Sequence, residues 1–148
     1  MKNNKKFNTT QKGFTILEVM IVIAILGMMA TLVVGNLMDS ADDAKVQSTA
    51  IEIKNLESIL DLYKLKAGQY PTTEQGLEAL VTMPEIEPIP RNYPQNGFLS
   101  ELPQDKWGND YQLVNPGEMG VYDLFSVGPD GEAGTEDDIG NWNVKDFL

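Results

Sequence analysis

An α+β architecture is expected from three features of the sequence. A proline-free run fills the first 65 residues, apolar at first and then amphipathic. A stretch with Pro84, Pro88, Pro90 and Pro94 interrupts any regular element after it. Two β-type runs then flank Asn115-Pro116-Gly117, the composition of a hairpin turn. Together these predict one long amino-terminal helix packed on a small carboxy-terminal antiparallel sheet.

The helix comes first. Phe14 to Val34 reads FTILEVMIVIAILGMMATLVV, 21 residues with one charge, Glu18. As a helix it spans roughly 31 Å, about the hydrocarbon thickness of a bilayer. Lys2, Lys5, Lys6 and Lys12 precede it and would stay on the cytoplasmic side. A secretory signal peptide needs a shorter apolar region followed by an A-x-A-like site, and Gly35-Asn36-Leu37-Met38 is not one. A plain membrane anchor is the simplest alternative. Glu18 argues for more, because a carboxylate within an apolar helix usually has a partner or a task.

Beyond Asn36 the apolar positions Val46, Ala50, Ile53, Leu56, Leu60 and Tyr63 advance by three or four, which places them on one helix face. Gly68 and Pro71 supply the stop. The reading is one helix from Phe14 to Ala67, with two helices broken at Gly35 as the alternative. Thr72 and Gln75 have capping-box spacing and predict a short helix over Thr73 to Val81. Residues 82–97 should be irregular. Residues 111–114 and 121–126 should form the hairpin, lying on the amphipathic half of the long helix.

Composition narrows the chemistry. At 148 residues the chain fits one small domain. Its net charge is -11, and no acid precedes Glu18, so the chain beyond the lysine-rich head is more acidic still. Nucleic acid is therefore a poor partner, since that affinity rests on Lys and Arg meeting phosphates. The absence of cysteine removes disulfides and thiolate metal sites, and the absence of histidine removes the usual triads and nitrogen-ligated metals. No enzyme is expected. Oxygen remains as the metal-ligand type, which suits calcium or magnesium.

One segment has the composition for that. From Trp107 through Val144 there are eight acids and no base. Asp130, Asp137 and Asp138 lie in a loop with Gly128, Gly131, Gly134 and Gly140, and glycines let carbonyls turn inward. The spacing is not that of an EF-hand. On spacing alone the segment reads either as a solvated acidic turn or as an oxygen-ligand cation site.

The junction Gly13-Phe14-Thr15-Ile16-Leu17-Glu18 resembles the prepilin peptidase signal of the type IV pilin-like superfamily. The stretches GQYPTTEQGLEAL, LPQDKWGNDYQL and YDLFSVGPDGEAGTEDDIGNW are similar to the major pseudopilins of type II secretion systems, the G components. Lys106 stands where that family usually has proline, and a glycine common near Thr135 is missing. The resemblance implies a pilin-like fold. It also implies a leader over residues 1–13, a hydrophobic transmembrane or filament-core helix over 14–35, and a periplasmic domain over 36–148. Cleavage after Gly13 and N-methylation of Phe14 are implied, with Glu18 guiding assembly by pairing with the new ammonium one helical turn away. One calcium ion in the acidic loop is implied, held by Asp130, Asp137 and Asp138 with the carbonyls of Val127 and Thr135, while Glu132 and Glu136 face water.

The function implied is that of a structural subunit, stored in the inner membrane and polymerised in the periplasm to drive export of folded proteins across the outer membrane. The partners implied are further copies of the chain, prepilin peptidase, the minor pseudopilins and the inner-membrane secretion platform. Competing readings are a type IV pilin for adhesion or motility, a membrane-anchored calcium-binding module and, more remotely, a carboxylate hydrolase.

Overall fold

The computed structural model describes residues 13–148, apart from the side chains of residues 31–40. Lys2, Lys5, Lys6 and Lys12, and with them most of the expected leader, therefore lie outside the described residues. Two compact units divide between Ser40 and Ala41. Helix α1, Ile16–Ala67, contributes to both.

In the first unit Thr15 opens α1. Its hydroxyl accepts the Glu18 N–H at 3.2 Å, and its carbonyl accepts the N–H groups of Glu18 and Val19 at 3.1 and 3.3 Å. Thr15 and Glu18 thus occupy capping-box positions, with an acid in the first turn where the helix dipole favours it. The large apolar side chains from Phe14 to Met29 are all exposed, from 48% at Val19 to 84% at Phe14. Among the described residues no helix is long and apolar enough to cross a membrane. The last four residues of the expected span, 31–34, lie outside the residues whose side chains are described.

In the second unit the amphipathic face of α1 is the floor of the core. Ala50, Ile53, Leu56, Leu60 and Tyr63 are all at most 1% exposed. Each fully buried Leu or Ile contributes about 1.5–3 kcal/mol relative to an exposed one. Lys64 and Lys66 occupy the last turn, and the Gly68 N–H closes it on the Lys64 carbonyl at 2.7 Å.

The segment after α1 departs from expectation. The capping box forms in both directions: the Gln75 N–H bonds the Thr72 hydroxyl at 3.2 Å, and the Thr72 N–H bonds the Gln75 side-chain oxygen at 3.0 Å. Yet only a 3-10 turn, Leu77–Leu80, follows it. Gly76 takes φ +59, outside the helical region, so the run cannot continue through it. The proline-rich stretch has no regular element but is tied down. Gln75 donates to the carbonyls of Ile86 and Pro88, and Tyr93 to that of Ala79. Phe98 packs between Tyr63 and Tyr93, with ring centroids at 5.2 and 5.4 Å.

Three antiparallel strands complete the unit in the order β1 (Gln112–Val114), β2 (Asp123–Ser126) and β3 (Ile139–Gly140). Leu113 faces Leu124, and Phe125 faces Gly140. Leu113, Leu124 and Ile139 join the helix face in the core. β2 starts at Asp123 rather than at Val121, and the Asp123 carboxylate ties down the turn before it by accepting the N–H groups of Glu118 and Met119. β3 is an addition to the expected hairpin.

Candidate functional site

Two regions hold the residues singled out above. The first is the start of α1. Phe14, Glu18, Val19, Val22 and Ile23 line a shallow groove of about 310 Å³. The ion pairs among the described residues are Lys45–Asp42 and Lys54–Glu57, so Glu18 has no cation partner within the described chain. With Gly13 bonded to it, the Phe14 nitrogen is an amide and carries no charge to offer Glu18.

The second region is the loop joining β2 to β3. Gly128, Gly131 and Gly134 have φ of +67, +73 and +89, so the backbone curls where side-chain-bearing residues resist it. At Gly128 the fit is also steric: a Cβ there would lie 2.5 Å from the Asp137 carbonyl oxygen and 2.9 Å from its carboxylate. Asp137 is engaged at both oxygens. Thr135 donates its hydroxyl to Oδ1 at 2.5 Å, and the Asp130 N–H reaches Oδ2 at 3.3 Å. The Thr135 bond leads in holding the Asp137 carboxyl below the usual carboxylate range. Asp130 is exposed, and its carboxylate accepts the Glu132 N–H at 2.9 Å. Asp138 is 7% exposed; its Oδ2 accepts the Gly134 N–H at 2.7 Å, and its Oδ1 is buried without a partner. Val127 is buried at the loop's entry, and Glu132 and Glu136 are exposed.

The loop therefore joins Thr135 and Asp137 directly and ties Asp138 to Gly134. Among the described residues no three acids come close enough to hold a metal between them. A cation there would draw on carbonyl oxygens as well as carboxylates, as calcium does. The oxygen-only donor set and the unpartnered Asp138 Oδ1 both fit such an ion.

A group of residues not anticipated from sequence stands beneath the loop. Asp105 is 6% exposed. Its carboxylate accepts the N–H groups of Trp107 and Asn109, the Asn109 side-chain amide and the Ser126 hydroxyl. Burial works to raise its pKa, but the bonds from Ser126, Asn109 and Trp107 together outweigh it and hold the carboxyl below its ordinary value. The local part of this pattern, an Asp accepting N–H groups two and four residues on, belongs to Asx-type turns and was visible in Asp105-Lys106-Trp107-Gly108-Asn109.

The long helix and the small antiparallel sheet have counterparts in known proteins. The family described as type II secretion system (T2SS), protein G, matches residues 36–142, and the prokaryotic N-terminal methylation motif matches residues 8–34. The chain belongs to the type II secretion protein G family. A type II secretion system core protein G of Pectobacterium carotovorum subsp. carotovorum is 60% identical over 134 residues, covering 90% of this chain and 86% of that one. The corresponding protein of Vibrio cholerae is 52% identical over 140 residues, covering 93% and 95%. The crystal structure of the major pseudopilin from the type 2 secretion system of enterohaemorrhagic Escherichia coli superposes with a TM-score of 0.69 at 56% identity, covering 73% of this chain and 95% of that one. The long helix with its three-stranded antiparallel sheet is thus a pseudopilin fold, and the type II secretion protein G family is one of structural subunits.

Proposed function

We propose that the chain is the major subunit of a type II secretion pseudopilus and performs no catalysis of its own. Prepilin peptidase cuts after Gly13 and methylates Phe14. The apolar part of α1 holds the subunit in the inner membrane until copies stack into a periplasmic fibre. That fibre, with minor pseudopilins and the inner-membrane platform, drives folded proteins across the outer membrane. The observation that carries this reading is a helix apolar on every side with its large side chains exposed from Phe14 to Met29. Such a helix needs lipid or other helices around it. Once cleavage frees the Phe14 ammonium, Glu18 gains a cation one turn away, within the chain or on a neighbour. In an apolar fibre core that pair matters more than in water, because the alternative is two unpaired charges.

The loop holds one calcium ion, with Asp130, Asp137, Asp138 and the carbonyls of Val127 and Thr135 as its ligands. The unpartnered, buried Asp138 Oδ1 supports this, since a buried carboxylate oxygen without a donor is costly. Bound there, the ion supplies charge neutralisation for the carboxylates.

The function is tested with Gly13→Leu at the native locus. The variant should accumulate as an uncleaved membrane precursor, with no fibre and with secreted proteins retained in the periplasm. A normal Phe14 amino terminus by mass spectrometry, with normal secretion, would overturn it.

A further inference from the structure

We infer that Asp105, Ser126 and Asn109 form a positioning network that aims the Val127 carbonyl into the loop, an inference that rests on the calcium reading above. None of the three is itself a proposed ligand.

A buried carboxylate usually has a cation beside it, because taking the charge out of water is costly. Neither ion pair among the described residues includes Asp105. Hydrogen bonds alone hold it: 2.9 Å from the Trp107 N–H, 2.8 Å from the Asn109 N–H, 3.3 Å from the Asn109 amide and 2.6 Å from the Ser126 hydroxyl. Two of those donors reach onward to one residue. Ser126 gives its proton to Asp105, which leaves its oxygen free to accept the Gly128 N–H at 3.1 Å. The Asn109 amide also donates to the Gly128 carbonyl at 3.0 Å. Both backbone groups of Gly128 are thereby anchored to a carboxylate more than twenty residues earlier.

Peptide planarity turns this anchoring into control of the proposed ligand. The Gly128 N–H and the Val127 C=O belong to the same peptide unit, and in a trans unit they point in opposite directions. Holding the N–H on Ser126 therefore sets the direction of the Val127 carbonyl. Gly128 also abuts Asp137, so the same anchor fixes the seat of a proposed carboxylate ligand. Loss of the Ser126 hydroxyl frees that peptide plane to rotate while every ligand atom remains in the chain.

The test is calorimetric titration of calcium into the full chain in detergent, comparing wild type, Ser126→Ala, Asn109→Ala and the core variant Leu56→Ala. Partners that orient metal ligands typically cost about 10–100-fold in metal affinity when removed. Ser126→Ala and Asn109→Ala should each weaken calcium binding by that much at unchanged stoichiometry. Leu56→Ala should lower the calcium-free melting temperature and leave the affinity alone. Wild-type affinity in both network variants, or an equal loss in Leu56→Ala, would overturn the network's role. If Ser126→Ala does not fold, Asn109→Ala decides alone. Absence of calcium binding by the wild type would instead overturn the calcium reading itself.

Discussion

Alanine at Gly128 and alanine at Gly134 should have different consequences, and the difference isolates one close contact. Both glycines have positive φ, +67 and +89. An L-residue held in the left-handed region costs about 1–2 kcal/mol, a cost common to both positions. The benefit of alanine in the unfolded chain is also common to both and cancels in the comparison. At Gly134 an added Cβ meets nothing within 4 Å. At Gly128 it meets the Asp137 carbonyl oxygen at 2.5 Å and the carboxylate at 2.9 Å. The first of these is backbone and cannot swing aside, so the loop must shift, at about 1–3 kcal/mol for overpacking of this kind. A domain of this size changes its melting temperature by about 4 °C per kcal/mol, so Gly128→Ala should melt about 4–12 °C below Gly134→Ala. The assay is thermal unfolding of the full chain in detergent and chelator, followed by the fluorescence of Trp107 and Trp142, both in the second unit. Equal melting temperatures, or a lower one for Gly134→Ala, would refute the reasoning.

Two further outcomes follow from the site. Calcium at a hundredfold excess over Kd should stabilise the folded chain by about 2.7 kcal/mol, so chelation should lower the wild-type melting temperature by about 10 °C; identical melting with calcium and with chelator would remove the ion from the loop. The Asp105 carboxyl is held below its ordinary value of 3.8, so its stabilisation is present above about pH 4 and is lost as pH falls through the depressed folded value. Asp105→Asn, already neutral, should lose less stability than wild type between about pH 5 and pH 2, and parallel acid-melting profiles would show that the carboxylate is not the titrating group.

What could be read from the sequence, and what could not, divides by the distance over which each signal acts. The helix face was legible because Ala50, Ile53, Leu56, Leu60 and Tyr63 repeat with the period of a helix, and each of them is buried. The hairpin was legible because its two runs flank a turn composition. β3 was not, since two residues carry no periodicity, and Gly140 is placed by its pairing with Phe125. The short helix after α1 falls short of its expected length because its capping box forms while Gly76 takes φ +59, a conformation that the capping spacing does not encode. The motif Thr15-x-x-Glu18 fits a helix cap as well as a processing signal, and the Thr15 hydroxyl accepts the Glu18 N–H in the folded chain.

The acidic loop divides in the same way. Eight acids between Trp107 and Val144 are equivalent by count, but the fold sorts them. Asp123 is spent on the N–H groups of Glu118 and Met119, Glu132 and Glu136 stand in solvent, and Asp138 is buried with one oxygen unpartnered. Asp105, outside that run, is buried by donors that include Ser126, twenty-one residues away. Burial therefore separates Asp105, Asp123 and Asp138, which the fold engages, from Asp130, Glu132 and Glu136, which stand in solvent. It depends on contacts that no local spacing encodes, so a charge-dense loop yields its composition to sequence analysis and its chemistry only to the fold.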